Sequence, residues 1–426
     1  MAQNKTLKLN ILVDCLRGTR VDSKGNSTAS LLLPLIHKFG QDRVKISLYH
    51  TPELSGMKKK LVPPRWNEGV GIQHIKAYIF DNTSLIISGA NLSTDYFTNR
   101  QDRYIEIKDQ PHLTSYFKEL VSTVCEFSYL LESTQQHSNS SSAFQDRNNL
   151  GYRLSLINKS IAQSPPEKEP LLFKQKAQSM MMDFIDKWKT HGDFTHVSQI
   201  EENNSKSDLT CPEPTKTPQA TADTIIVPTV QMSPLGITQD QAHCQQFFEA
   251  IKKNRDTCRT ILTSAYFNFA EMFRNRILDS SSQFDILIAS PQANGFYTAK
   301  DISRYIPNAY TLFELEFLKE VHRRGAQGLV KINEWNRPGW TYHGKGFWSS
   351  IGNEKYPSLT MIGSPNYGYR SLYRDLEAQI TIMTKNEDLK QRLYEVISRR
   401  TVQTTIINAI SVDIGNDFDC KKYMCA

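Results

Sequence analysis

The sequence has no long hydrophobic run. Its most apolar stretches, residues 31–36 and 85–87, fall far short of the roughly 20 residues needed to cross a bilayer. A spanning helix is therefore not expected, and any membrane contact should be peripheral. Cysteine is sparse as well: the seven, at 15, 125, 211, 244, 258, 420 and 425, are odd in number and form no CxxC pair or tight Cys/His group. That pattern argues against a disulfide scaffold or a structural zinc and favours a reducing compartment. The first residues, MAQNKTLKLNILVD, lack a secretory apolar core and the Arg/Ser-rich pattern of an organelle leader, and run straight into a strand. No run of Asp and Glu is spaced as a metal site, so neither metal nor cofactor is expected.

The chain does have length and a mild positive charge. Its 426 residues, 39% of them hydrophobic, suffice for two domains with separate cores. Lys and Arg number 51 against 44 Asp and Glu, a balance that suits an anionic partner such as phospholipid, nucleotide or nucleic acid. Residues 133–239 differ from both flanks: SNSSSAF, SPPEKEP and CPEPTKTPQATAD are polar and turn-rich, and the stretch reads as a mobile, partly disordered insertion. Within it, residues 171–188 carry apolar side chains at helical spacing, which predicts an amphipathic helix packed on the core or lying on a membrane.

The flanks resemble one another. In residues 1–132 a strand (7–13), an apolar helix (30–39) and a strand (44–49) precede HIKAYIF. In residues 240–426 the same order recurs as 284–289, 310–323 and 329–334, followed by HGKGFW. Alternating strand and helix predict an α/β sandwich with mixed sheets flanked by helices, and the repetition predicts two similar halves from an internal duplication. The second copy opens with an extra helix and strand (about 244–269) that the first has no counterpart for. The first half is thus expected to lack its opening elements, as a truncated or alternatively initiated form would, and any targeting sequence would lie in that missing part.

Each half ends in one constellation. The first reads His74-Ile-Lys76, then Ser88-Gly89-Ala90-Asn91, then Arg103-x-x-Glu106; the second reads His343-Gly-Lys345, then Gly363-Ser364-Pro365-Asn366, then Arg374-x-x-Glu377. Residues two apart on an extended chain share a face, so each imidazole stands beside an ammonium, a pair suited to phosphate. A Gly/Ser turn lets the backbone approach a ligand, and the Asn adds a neutral donor for a phosphoryl oxygen. A later carboxylate can hold the second ring nitrogen of the histidine, the role expected of Glu106 and Glu377. A single HxK is usually an accident; two in duplicated contexts point to a phosphoryl-transfer site.

These paired motifs resemble the HKD motifs of the phospholipase D superfamily, whose halves pack about a pseudo-twofold axis and bring two histidines into one site. The likeness covers both repeats and leaves out the insertion. Around the motifs, RVKISLYHTPEL, GIQHIKAYIFDN, SGANLSTDYFTNRQDRY, INEWNRPGWTYHGKGFW and IGSPNYGYRSLYRDLEAQI are similar to the eukaryotic mitochondrial phosphatidyltransferases that use CDP-diacylglycerol and glycerol 3-phosphate. The superfamily's Asp falls on Asp81 in the first motif, whereas the same offset in the second gives Ser350. Asn366 also follows His343 at a longer interval than Asn91 follows His74, which a longer hairpin across residues 352–357 would explain.

The resemblance implies a double displacement with a phosphatidyl-histidine intermediate, in which His74 attacks phosphorus and His343 serves as acid and base. Lys76, Lys345, Asn91, Asn366 and Ser364 would hold phosphoryl oxygens, with Asp81 supporting. The acceptor's own phosphate calls for further cations, drawn from Arg337, Arg370, Arg374, Arg100, Arg103 and the LRGTR pair Arg17 and Arg20. Implied partners are the two substrates and an anionic membrane, without nucleic acid, at the matrix face of the inner mitochondrial membrane on the route to cardiolipin. Two other readings use the same residues: a hydrolase of phospholipid or nucleic acid in which water takes the second step, and a non-catalytic binding protein with a degenerate fold.

Overall fold

A computed structural model describes residues 1–63, 67–134, 151–191, 223–300, 302–401 and 404–406. Strands are built where β-branched and aromatic residues cluster. In the first half these are β1 (Leu9–Asp14), β2 (Val44–Tyr49), β3 (Ala77–Phe80), β4 (Ser84–Ser88), β5 (Arg100–Gln101), β6 (Tyr104–Lys108), β7 (Tyr129–Ser133) and β8 (Tyr152–Ser155). The second half contributes β9 (Thr224–Met232), β10 (Ile237–Thr238), β11 (Arg259–Ser264), β12 (Gln283–Ala289), β13 (Val330–Trp335), β14 (Thr341–Tyr342), β15 (Gly346–Ser350), β16 (Leu359–Gly363), β17 (Glu377–Thr384) and β18 (Thr404–Ile406). Helices cover the sheets, so the architecture is the mixed α/β arrangement expected.

The second half forms one sheet in the order β10-β9-β17-β16-β15-β11-β12-β13-β18. Within it β11 lies between β12, to which it is parallel, and β15, to which it is antiparallel. In the first half β1 and β2 pair in parallel as β12 and β13 do, and the β3–β4 hairpin with β6 repeats β15, β16 and β17. Among the described residues nothing stands where β11 stands. The half therefore splits into two sheets, β1-β2-β7-β8 and β3-β4-β6. Residues 259–264 thus have no counterpart among the described residues of the first half, and burial differs accordingly: Ile286 and Ile288 on β12 are buried, whereas Ile11 and Val13 on β1 stay partly exposed.

The stretch expected to be an insertion is more integrated than its composition suggests. Residue 133 ends β7, and β8 pairs beside it. The helix Pro170–His191 buries Phe173, Ala177, Met181 and Phe184 in the largest core, packing Phe184 and Trp188 on Tyr116 of the helix Pro111–Glu126. Of the two placements open to that helix, the core is the observed one, because this spacing puts all four side chains on one stripe. The second half begins at β9, ahead of residue 240. Residues 135–150 and 192–222, where the most polar segments lie, are outside the described residues.

One buried acid carries a stability consequence. Glu314, on the helix Ile306–Arg323, is buried with Oε2 lacking a hydrogen-bond partner. Burial, reinforced by the Glu334 charge, pushes its carboxyl up to about 9. The unfolded chain ionises this group near 4.5, so the folded state binds the extra proton between those values, and stability is lost as pH rises through that window. Glu314→Gln should remove this term, making the stability difference from wild type grow by about 1.4 kcal/mol per pH unit between about pH 6 and 8 and level off above about pH 9. Urea unfolding at several pH values measures it; a difference independent of pH would refute the assignment.

Candidate active site

The site lies where the two halves meet, at the ends of β1, β2, β4 and β16 from which the connecting loops leave. Two short parallel contacts fix it. Gln73 bridges Leu376, and His74 donates its backbone N–H to the Leu376 carbonyl at 2.9 Å. In the other direction β14 pairs in parallel with β5, and His343 donates its N–H to Gln101 at 2.7 Å. Each histidine is thereby placed beside the carboxylate that follows its partner strand in the opposite half.

The pairing is reciprocal. His74 Nδ1 lies 2.8 Å from Glu377 Oε2, and His343 Nδ1 lies 2.7 Å from Asp102 Oδ2. All four side chains are buried. With each Nδ1 held by an anion, each Nε2 is the nitrogen left for chemistry. Lys76 Nζ folds back to the His74 carbonyl at 2.7 Å, while Lys345 Nζ sits 3.0 Å from His343 Nδ1. Both ammoniums act on both carboxylates, so the two motifs occupy one electrostatic site. Lys345 needs Gly89: a Cβ there would lie 2.8 Å from its Cδ.

Burial dominates the protonation states. It drives His74 well below the ordinary imidazole range, helped by Lys76, and takes His343 down to about 4, helped by Lys345. Both ammoniums are lowered for the same reason, against the pull of the carboxylates. The two acids differ. Burial lifts Glu377 to about 7 despite Lys76, Ser364 and Ser371, whereas at Asp102 the effects of Lys345 and His343 outweigh burial and hold the carboxyl below its ordinary value. Asp102 is the firmer anion of the pair.

Several expected site residues sit elsewhere. Glu106 is exposed on β6 beside Lys108 and orients neither histidine; Asp102 does what was expected of it. Asp81 is exposed at the tip of the β3–β4 hairpin with φ 53°, the far end from His74, and shapes the turn. Ser364 bonds to Ala378 and supports Glu377, leaving it no free face for a phosphate oxygen. Arg103 is buried under β16, bonded to Met361 and Thr360 and stacked on Trp348. Arg374 holds the Gly69 carbonyl, Arg337 stacks on Trp340, and Arg20 is exposed in the loop after β1. The longer second hairpin is present as the connection from β15 to β16.

Others do converge. Arg370 bonds to Asp375 and leaves Nε buried without a partner, and Asn366 has Oδ1 in the same condition. Arg17 lies close enough to depress His74. Arg100 pairs with Asp95 and faces the Tyr96 ring. Asn91 is exposed at the mouth. The structure adds residues that the sequence did not single out. Tyr96 Oη is 3.1 Å from His343 Nδ1, Tyr266 packs edge-on to the same ring, and Tyr310 lies against Tyr266. Asp14 accepts the Gln73 N–H at 3.0 Å and so props the His74 segment. His74, Asp375 and Glu377 bring ligand-type atoms within 4.8 Å of one another, but these are engaged with each other and with Arg370.

Two HxK units share one buried site on this α/β scaffold, the arrangement that the resemblance to the phospholipase D superfamily leads one to expect. No family model matches the chain. The crystal structure of phosphatidylserine synthase from Haemophilus influenzae Rd KW20 has the same fold, with a TM-score of 0.60 at 15% identity over 95% of this chain and 76% of that one. Among curated proteins, the probable CDP-diacylglycerol–glycerol-3-phosphate 3-phosphatidyltransferase of Dictyostelium discoideum is 39% identical over 92% of this chain and 62% of its own length. The mitochondrial enzyme of that name from Homo sapiens is 34% identical over 96% and 68%, and that of Schizosaccharomyces pombe 35% over 94% and 80%. The chain belongs to the CDP-diacylglycerol–glycerol-3-phosphate 3-phosphatidyltransferase family. It spans about two thirds of the length of the Dictyostelium and Gallus gallus relatives.

The crossed pairing gives a direct test. Asp102→Asn should lower turnover by about 10²-fold or more, as loss of a histidine's orienting anion does, while Glu106→Gln should stay within about twofold of wild type. Comparable losses in both variants would contradict the crossed arrangement.

Proposed function

We propose that the chain transfers the phosphatidyl group of CDP-diacylglycerol to sn-glycerol 3-phosphate, giving phosphatidylglycerophosphate and CMP. The observation that carries this reading is the pair of buried imidazoles, each held at Nδ1 by a carboxylate from the other half, in a chain of this family. The reciprocal contacts also support a pseudo-twofold relation between the halves.

In the first step His74 Nε2 attacks the phosphatidyl phosphorus, forming a P–N bond as the pyrophosphate P–O bond breaks. His343, protonated at Nε2, gives its proton to the departing CMP. In the second, His343 takes the proton of the primary hydroxyl of glycerol 3-phosphate, whose oxygen displaces His74 and restores it. The unequal acids support this division of roles: burial lowers both imidazoles, but at His343 the firm Asp102 anion opposes it and would stabilise the imidazolium of the first step, whereas the more easily protonated Glu377 leaves His74 neutral with its lone pair available. Lys76 and Lys345 would neutralise the phosphoryl oxygens in the transition state, and the Asn366 amide would donate a hydrogen bond to them. Arg370 and Arg17, on the His74 side, suit the acceptor's phosphate.

For location we propose the mitochondrion, as the relatives' names suggest, at the matrix face of the inner membrane, with peripheral contact to anionic lipid and no nucleic-acid substrate. His74→Asn should abolish CMP release from CDP-diacylglycerol while the protein stays folded. In the wild type, lipid product should depend on glycerol 3-phosphate. Release of phosphatidate at the same rate without acceptor would show a hydrolase instead.

A further inference from the structure

We propose that the rim of the site is a docking face for an anionic lipid bilayer, with the short helix Gly56–Leu61 as its principal anchor and the helices that follow the two Asn turns as the second and third contacts. This deepens the proposed function, since a diacyl substrate has to reach a buried phosphoryl site from a lipid surface, but its test needs no turnover.

The observation begins with the sequence GMKKKL. A solvated helix normally turns its apolar residues inward, yet Met57 and Leu61 are 76% and 73% exposed, and no residue of this helix is an apolar core contact. They are four apart and so share one side of the helix, with Lys58 and Lys60 exposed beside them and no acid within the segment. Large apolar side chains flanked by cations form the pattern of an interfacial anchor, in which hydrocarbon enters the acyl boundary while ammoniums meet lipid phosphates.

The same feature recurs at the two turns carrying the candidate phosphate ligands. After Asn91, Leu92 is 74% exposed, and the helix Thr94–Thr98 turns Tyr96 to His343 while Phe97, the next residue, is 68% exposed. After Asn366, the helix Tyr369–Tyr373 directs Ser371 to the Asn366 N–H and exposes Tyr369 and Tyr373. One face of each helix builds the site, and the adjacent residues project outward. Two of the three helices follow the Asn turns directly after β4 and β16, and the third lies in the connection that leads from β2 to His74, so all six apolar residues belong to segments that build the site. The charge also fits an anionic surface: Lys58 and Lys60 are exposed on the anchor helix itself.

The full chain should cosediment with vesicles of phosphatidylcholine containing phosphatidylglycerol, and more weakly with phosphatidylcholine alone. Met57→Glu/Leu61→Glu should weaken binding about tenfold or more, and Phe97→Glu should do the same from a different segment. Lys58→Glu/Lys60→Glu should remove most of the dependence on anionic lipid and on salt. Phe80→Glu, at the opposite end of the β3–β4 hairpin and also exposed, should bind as wild type. CMP release from a short-chain, water-soluble CDP-diacylglycerol should be unchanged in the rim variants, which also shows them folded. If wild type releases no CMP, the proposed reaction fails while the vesicle result still stands. Wild-type binding by both rim variants, an equal loss in Phe80→Glu, or no binding by wild type would overturn the docking face. A solution dimer split by the same substitutions would assign the rim to a second copy and overturn it as well.

Discussion

Everything in the site depends on the two hydrogen bonds that carry a histidine of one half to a carboxylate of the other, His74 to Glu377 and His343 to Asp102. Six ionisable side chains share a buried volume there, an arrangement whose desolvation is tolerable only because opposite charges interleave. Neither half can assemble this alternation alone, because each supplies its own imidazole and ammonium while the anion beside that imidazole comes from the other half. Removing one member leaves a buried neighbour uncompensated, so the site and the junction between the halves stand or fall together.

That dependence explains the short parallel contacts between Gln73 and Leu376 and between Tyr342 and Gln101. Main-chain pairing is the least adjustable way to set the height of one loop against another, and it fixes each ring relative to its carboxylate before any substrate arrives. Small residues then make room. At Gly363 a Cβ would lie 2.4 Å from the Ala378 carbonyl, and at Gly89 it would displace Lys345, so the glycines of the two motif turns are set by packing as much as by ligand approach.

Much of this was legible in the linear sequence. Both HxK units, the duplicated strand–helix–strand order and the absence of a first-half counterpart to residues 259–264 all follow from residue pattern, because period and spacing are local properties. The acid partners were only half legible. Reading Arg103-x-x-Glu106 against Arg374-x-x-Glu377 aligns the repeats by similar letters, whereas the hydrogen-bond register aligns Asp102 with Glu377, a shift that only pairing between the halves reveals. Asp81 misled for a related reason: a fixed offset from His74 says nothing about whether the chain has already reached the tip of a hairpin. The helix Pro170–His191 was visible by its spacing, but its polar surroundings concealed that it closes the largest core. The tyrosines around His343 come from distant segments and share no spacing that sequence could reveal.

The split first-half sheet has a mechanical consequence. His343 hangs from β15, which lies inside a sheet continuous across nine strands, whereas His74 precedes a hairpin with no strand joining it to β1 among the described residues. Asp14, through one bond to the Gln73 N–H, is the tie between the two pieces at that point. One side of the cleft is thus held by a continuous sheet, and the other by the packing of the helix Pro111–Glu126 across both sheet pieces. An extended polypeptide laid between β1 and β3, parallel to one and antiparallel to the other as residues 259–264 are in the second half, would join those two pieces through main-chain bonds along both its edges.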